Sequence, residues 1–276
     1  MTRFQDKVVL VTGAARGQGR EHAVRFAREG ADIIGLDLAA QIDSAPYPMS
    51  TPDDLAETTR LVEAEDRRMS AHVADVRDPH AVDKAVQAGL AEFGRIDVVL
   101  ANAGIIVYGK AWELDHDQWH DVIDTNLNGV WHTLRAAMPA MIEAGRGGSM
   151  IVTSSFAGLR GPANAVSYVV AKTALVGMVR ALANELGPHN IRINSIHPTT
   201  VDTPMVTNEV TYKLFRPDLD KPTREDALAG LTGMQALPIP CVHTSDISNA
   251  ILWLASEEAR YVTGVNLPVD GGAANK

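Results

Sequence analysis

Residues 7–19 read Lys7-Val-Val-Leu-Val-Thr-Gly-Ala-Ala-Arg-Gly-Gln-Gly19. A short apolar run stops at Gly13, and Gly13, Gly17 and Gly19 punctuate the turn that follows. Glycines at these places permit a tight turn and let backbone N–H groups approach a pyrophosphate. They also let the next helix pack closely with its positive N-terminus aimed at phosphate. A glycine-rich turn alone is a weak signal. Its neighbours strengthen it, because a helical pattern covers Glu21 to Glu29 and a second apolar strand, Ala31-Asp-Ile-Ile-Gly-Leu-Asp-Leu38, ends in an acid. Asp37 lies 24 residues after Gly13, near the spacing of about 20 expected of a carboxylate that grips adenosine ribose hydroxyls.

Working outward, short apolar strands keep alternating with longer helical stretches, a pattern that predicts a parallel sheet covered on both faces. Seven strands begin near Lys7, Asp32, His72, Ile96, Ser149, Arg192 and Val265. The expectation is an α/β, doubly wound Rossmann-type sheet, and 276 residues fit a single domain spanning 1–276. Ligands in such sheets bind beyond the carboxyl ends of the strands. Gly13, Asp37, Asp75, Asn102, Ser155 and Pro198 all fall at or just after such ends, so they are expected on one rim.

Two segments interrupt the alternation. Residues 39–52 lengthen the connection after Asp37 and end in a helix start, with Thr51 as cap, Pro52 at the first helical position and Asp53 and Asp54 in the first turn. Such an insertion is either plain surface or a cover over the adenosine end that slows cofactor exchange. Residues 205–240, with Phe215, Met234 and several prolines, have the character of a substrate lid.

Ser167-Tyr-Val-Val-Ala-Lys172 reads as helix, so Tyr168 and Lys172 share one face. A cation about 4 Å from a phenol in a partly desolvated site contributes roughly 4 kcal/mol, or about three pKa units, enough to bring the phenolate toward neutral pH. Thirteen residues before Tyr168, Ser155 closes the apolar strand Ile151-Val-Thr-Ser-Ser155, where its hydroxyl is suited to bond a substrate oxygen. Together the three point to proton transfer at an alcohol or carbonyl.

These motifs, with Asp75-Val76, Asn102-Ala103-Gly104, Asn126 and the tail Tyr261-Val-Thr-Gly-Val-Asn-Leu-Pro-Val-Asp-Gly-Gly272, resemble the short-chain dehydrogenase/reductase family from about Asp6 to Gly272. The insertion and His197-Pro-Thr-Thr-Val-Asp-Thr-Pro-Met205 resemble its mycofactocin-associated, carveol-dehydrogenase-like subgroup. The resemblance implies an NAD-dependent enzyme interconverting a secondary alcohol and a ketone on a small apolar, cyclic terpenoid-like substrate. It implies that Ser155 orients the alcohol, Tyr168 accepts its proton, and Lys172 lowers the tyrosine pKa and binds ribose. Asn126 would hold a water linking Lys172 to solvent. The implied cofactor set is Gly13, Arg16, Gly17, Gln18, Gly19, Asp37, Leu38, Asp75, Val76, Asn102, Ala103, Gly104, Tyr168, Lys172, Pro198, Val201 and Thr203. Within it Asp75 reaches the adenine amino group, Val201 and Thr203 hold the carboxamide, and Thr199 replaces a family glycine. A homotetramer and mycofactocin as electron acceptor also follow from the resemblance.

Cofactor choice rests on two opposed charges. Asp37 repels the 2′-phosphate of NADP, whereas Arg16 attracts it; Asp37 stands at the ribose position and favours NAD. The alternatives are an NADPH-dependent acyl-chain ketoreductase, which Asp37 opposes, and a non-catalytic NAD-binding sensor or scaffold, which an intact Ser155, Tyr168 and Lys172 set opposes.

A formal charge of −9 argues against nucleic acid or an anionic membrane as partner. A single cysteine, Cys241, excludes an intrachain disulfide and suits a reducing compartment. Without an apolar leader, and with no run expected to approach about 20 apolar residues, a cytoplasmic location is expected. His116 and His120 stand four apart but lack the carboxylate of a helical zinc motif, so no metal site is expected. Trp112, Trp119 and Trp131, with Met138 and Met141, are expected to pack a long helix against the core or another subunit rather than against cofactor.

Overall fold

The computed structural model describes residues 2–276. Its strands are β1 (Val8–Thr12), β2 (Asp32–Asp37), β3 (Met69–Val73), β4 (Val98–Ala101), β5 (Gly148–Thr153), β6 (Ile191–Pro198) and β7 (Asn266–Val269). They form one sheet in the order β3-β2-β1-β4-β5-β6-β7, parallel at every pairing. The chain runs outward from β1 to β3 and then returns to lay β4 on the other side of β1. A crevice therefore opens at the carboxyl ends of β1 and β4, the switch point where such sheets bind ligands.

Parallel strands buried on both faces read as continuous apolar runs, and every residue of β1 and β2 is buried. Alternate residues serve opposite layers. Val8 and Leu10 pack toward α3 (Pro79–Phe93), α5 (Gly129–Ala144) and α6 (Val166–Leu186). Val9 and Val11 pack toward α1 (Gly17–Arg28), α2 (Pro52–Glu63) and α9 (Thr244–Ala255). β3 begins at Met69, three residues before the expected His72, because Met69 and Ser70 pair with Ile33 and Ile34 of the neighbouring strand. Neither residue type favours a strand by itself, so tertiary pairing made the difference.

Helix α2 starts as expected: the Thr51 hydroxyl accepts from the Asp54 N–H, and the Asp54 carboxylate accepts from the Thr51 N–H. Helix α4 (His116–Ile123) runs into α5 through a π turn at Asp124–Asn128, an irregularity frequent at functional sites. The chain does contain one helical stretch, Val166–His189, long and apolar enough by composition to cross a membrane. Here it lies along the sheet, with Leu175, Val179 and Leu182 in the core. Met141 is buried in that core and Met138 packs on it, whereas Trp112 is 79% exposed.

Both interrupting segments cover the crevice. Residues 39–52 form no regular element up to the α2 cap, yet Ile42, Ala45 and Tyr47 are buried against Ile105, Ile106, Val107 and Val122. The second segment folds into α7 (Glu209–Phe215) and α8 (Arg224–Gly233).

Candidate active site

The end of β1 is tied to the end of β4 by Thr12, whose Oγ1 accepts from the N–H groups of Asn102 and Ala103 at 3.1 and 3.2 Å. Asn102 returns a bond from its Nδ2 to the Thr12 carbonyl at 3.0 Å. Between them lies a groove lined by Gly13, Arg16, Gly17, Gln18, Gly19, Asp37, Leu38, Asp75, Val76, Asn102, Ala103, Gly104 and Thr203. Gly13 has φ +68, and a Cβ at Gly19 would fall 1.9 Å from the Gly13 carbonyl oxygen, so the turn admits no side chain there.

Polar groups in the groove fit a dinucleotide. Gln18 Oε1 is buried without a hydrogen-bond partner among the described residues. The Arg16 guanidinium makes no hydrogen bond or ion pair among the described residues, and burial holds its pKa below the usual value. Asp37 closes β2 and faces the groove. Asp75 is paired with Arg77, which also bonds Asp121.

A second cavity of about 320 Å³ opens where the groove ends, and Gln18, Asn102, Gly104 and Thr203 line both. Ser155, Tyr168, Lys172, Pro198 and Val201 line the second one. Ser155 follows β5 and caps a short turn, its Oγ accepting from the Ala157 N–H at 3.1 Å. Helix α6 presents Tyr168 and Lys172 one turn apart, as the spacing requires. Much of the remaining wall is apolar, supplied by Ile106, Phe156, Val206, Leu214, Phe215 and Met234, with Tyr108, Asn164 and Thr211 adding polar groups. The long insertion and the lid segment therefore supply walls of the two cavities, Phe215 and Met234 of the lid among them.

The electrostatics depart from expectation. Lys172 Nζ donates to the Thr153 carbonyl at 2.7 Å and sits 5.6 Å from the centre of the Tyr168 ring. Burial pushes the ammonium down to about 7. Burial also pushes the Tyr168 phenol up, and the hydrogen bond from Ser155 is what opposes that rise. Desolvation of both groups outweighs their mutual attraction in the chain alone, because each loses water and the lysine spends its hydrogen bond elsewhere.

Asn126 faces neither cavity. Its Oδ1 accepts from the Ile105 N–H at 2.8 Å and its Nδ2 donates to the Ile105 carbonyl at 2.7 Å. The amide is thus consumed in fastening the π turn to the loop after β4, although it lies behind Gly104 beside Lys172. Thr199 is accommodated by Gln235, whose Nε2 donates to the hydroxyls of Thr199 and Thr200 at 3.3 and 2.7 Å. Four cavity residues had no distinguishing sequence signal: Tyr47 and Ser50 of the insertion, and Ile106 and Tyr108 after β4.

A family model described as enoyl-(acyl carrier protein) reductase matches residues 13–274. The chain is 47% identical to (−)-trans-carveol dehydrogenase of Rhodococcus erythropolis over 100% of both proteins. The chain belongs to the short-chain dehydrogenase/reductase family. It is also 37% identical to trans-4-hydroxycyclohexanecarboxylate dehydrogenase of Sinomonas cyclohexanicum, over 98% of this chain and 93% of that one. Among solved structures, carveol dehydrogenase from Mycobacterium avium in complex with NAD superposes with a TM-score of 0.98 at 49% identity, covering 100% of each chain. As a member of that family the chain is an oxidoreductase with its expected single Rossmann-type sheet.

Proposed function

We propose that the enzyme uses NAD to interconvert a secondary alcohol and its ketone on a small, largely apolar, cyclic substrate. The observation that carries this reading is the junction of the two cavities: a glycine-floored groove ending at Asp37 meets an apolar chamber holding Ser155, Tyr168 and Lys172. Bound NAD would supply the hydride acceptor for oxidation and, reduced, the donor for the reverse reaction. Gly13, Gly17, Gly19 and Asp37 would hold its adenosine half, and Pro198, Val201 and Thr203 would hold the other half. The carboxylate of Asp37 supports NAD over NADP, since a 2′-phosphate would meet a buried negative charge.

Ser155 orients the substrate oxygen, and Tyr168 Oη takes its proton during oxidation and returns one during reduction. Lys172 positions the ribose and, once protonated, stabilises the phenolate. The apolar wall excludes water and favours a compact hydrocarbon ring. That agrees with the cyclic alcohols in the names of the carveol and hydroxycyclohexanecarboxylate dehydrogenases.

The insertion supports a second element of this reading, a cofactor retained through turnover and reoxidised by an external acceptor such as mycofactocin. Its Tyr47 and Ser50 both line the nucleotide groove and are bonded to the body of the protein. Exhaustive dialysis, denaturation and mass spectrometry would read the released nucleotide: near-stoichiometric NAD(H) is expected, and an empty protein would remove retention from the proposal. The acidic charge and single cysteine support a cytoplasmic setting. Exposed Trp112 and Tyr261 suit buried positions in a homotetramer, which native mass spectrometry would count.

The deciding experiment is Tyr168→Phe assayed with NAD against (−)-trans-carveol and a panel of cyclic alcohols. Turnover should vanish while NAD binding persists. Near-normal turnover in the variant would sink the assignment.

A further inference from the structure

His197, on β6, is completely buried, and none of the roles above uses its imidazole. Its Nδ1 lies 2.8 Å from the carbonyl oxygen of Ser155. Its Nε2 lies 2.9 Å from the hydroxyl of Ser195, which in turn is 2.8 Å from the side-chain amide of Asn266 on β7. A chain of three polar contacts thus runs from the sheet edge to the residue that carries the proposed substrate-orienting hydroxyl.

The chemistry of the partners fixes the direction of these bonds. A carbonyl oxygen only accepts, so Nδ1 must carry the ring hydrogen. Burial holds the imidazole below its usual pKa, so the ring is neutral and Nε2 accepts. Ser195 must then donate its one hydroxyl hydrogen to Nε2 rather than to Asn266 Oδ1, which faces it in the structure, and the Asn266 amide must flip to present its NH₂; amide O and N are alike in shape, so the flip displaces nothing else. One tautomer satisfies every member. The carbonyl of Ser155 also accepts from the Gly158 N–H at 2.9 Å, so two donors lock it.

We propose that His197 is a positioning residue for the reaction, its Nδ1–H fixing the Ser155 backbone and through it the place of the Ser155 hydroxyl opposite Tyr168. This rests on the assignment of Ser155 and Tyr168 made above. The Ser155 hydrogen bond is what holds the phenol's pKa down, so a displaced Ser155 lets that pKa climb. Other ionisable groups facing Tyr168 are Lys172 on its own helix, Tyr47 of the insertion and Tyr108 after β4. Those facing His197 are Lys172 and Asp270. Both replacements below leave all of these side chains in place.

The experiment compares His197→Asn with His197→Gln in the NAD-loaded enzyme, following the pH dependence of kcat/KM for oxidation of (−)-trans-carveol or cyclohexanol. An asparagine amide overlays Nδ1 and can still donate to the Ser155 carbonyl; a glutamine amide overlays Nε2 and cannot. His197→Asn should keep the wild-type pH midpoint. His197→Gln should move it up by about one unit, with a loss of about tenfold near neutral pH, while NAD affinity stays unchanged. Equal losses in both variants at the wild-type midpoint would reduce His197 to structural support and overturn the proposal, as would an unaltered His197→Gln.

Should His197→Gln fail to fold, Ser195→Ala tests the same chain by releasing the tautomer with little change in volume. It should move the midpoint in the same direction by less, and no movement overturns the proposal. Ser155→Ala separates the two levels of inference: if it neither slows turnover nor raises the midpoint, the Ser155 and Tyr168 assignment itself fails. A shift in Ser155→Ala without one in His197→Gln overturns only the positioning role.

Discussion

The hydroxyl of Ser50 donates to the carboxylate of Asp37 across 2.6 Å, both residues being buried. The same carboxylate accepts from the N–H groups of Ala15 and Ala39, each at 2.9 Å. Ala15 belongs to the glycine-rich turn and Ala39 and Ser50 bracket the insertion. Asp37 therefore joins nucleotide turn, ribose end and cover in one group. A carboxylate has about four acceptor positions, so three donors leave one for a ribose hydroxyl.

Asp37→Ala should lose both functions together. Preference for NAD over NADP is expected to fall by at least about tenfold, roughly 1.4 kcal/mol, and NAD release should quicken. Steady-state kinetics with both cofactors and stopped-flow release measure the two effects; an unchanged preference would remove Asp37 from cofactor choice.

Ser50→Ala isolates the cover. It removes one hydrogen bond to a charged group, a contact worth about 1.5–3 kcal/mol, and leaves the Asp37 charge in place. NAD release should accelerate by about tenfold with cofactor preference intact. Deleting residues 40–50 should accelerate it further, because Tyr47, whose hydroxyl accepts from the Ile106 N–H at 3.2 Å, goes too. Release at the wild-type rate in both variants would mean that the segment is surface alone.

Because burial raises the Tyr168 phenol, the two reaction directions should differ in pH dependence. Oxidation needs the phenolate and should climb with pH beyond neutrality; reduction needs the phenol and should stay level through neutral pH, falling only in alkali. Parallel profiles for kcat/KM in the two directions would contradict Tyr168 as the proton-transfer group.

Lys172 titrates near 7 when buried, against 10.5 in water. The unfolded chain binds more protons than the folded one between those values, so the destabilising effect of burial is fully present below about pH 7 and fades as pH rises toward 10.5. Lys172→Met should accordingly raise Tm more at pH 6 than at pH 10 while turnover collapses. Equal Tm changes at both pH values would show that the lysine is solvated in the folded protein.

His22 follows the same linkage with the same sign in a lower pH window. Fully buried, it is pushed down to about 3 from 6.5. Its Nδ1 donates to Ser248 Oγ at 2.7 Å, since Ser248 gives its own hydrogen to the Thr244 carbonyl. The neutral ring supports stability above pH 6.5, and that support is lost as pH falls toward 3, roughly 3 kcal/mol by pH 4. His22→Gln should flatten the acid limb of a Tm-against-pH curve; an unchanged slope would place the acid sensitivity elsewhere.

Much was legible in the chain because the information is local. β1, the glycine turn and the acid at the end of β2 are contiguous patterns, and Tyr168 and Lys172 meet through one helical turn whatever surrounds them. The alternation of strands and helices predicted the sheet for the same reason, missing chiefly the start of β3, where pairing overrode propensity. Tertiary structure decided what depends on distant neighbours. The fate of the insertion turned on Ser50 and Tyr47 finding Asp37 and Ile106, and the side-chain amide of Asn126 found both backbone groups of Ile105. The balance at Tyr168 was likewise set by burial, since a pKa depends on desolvation and on where each hydrogen bond is directed. Spacing along the chain determines which groups can meet; only packing determines how much water and which partners they keep.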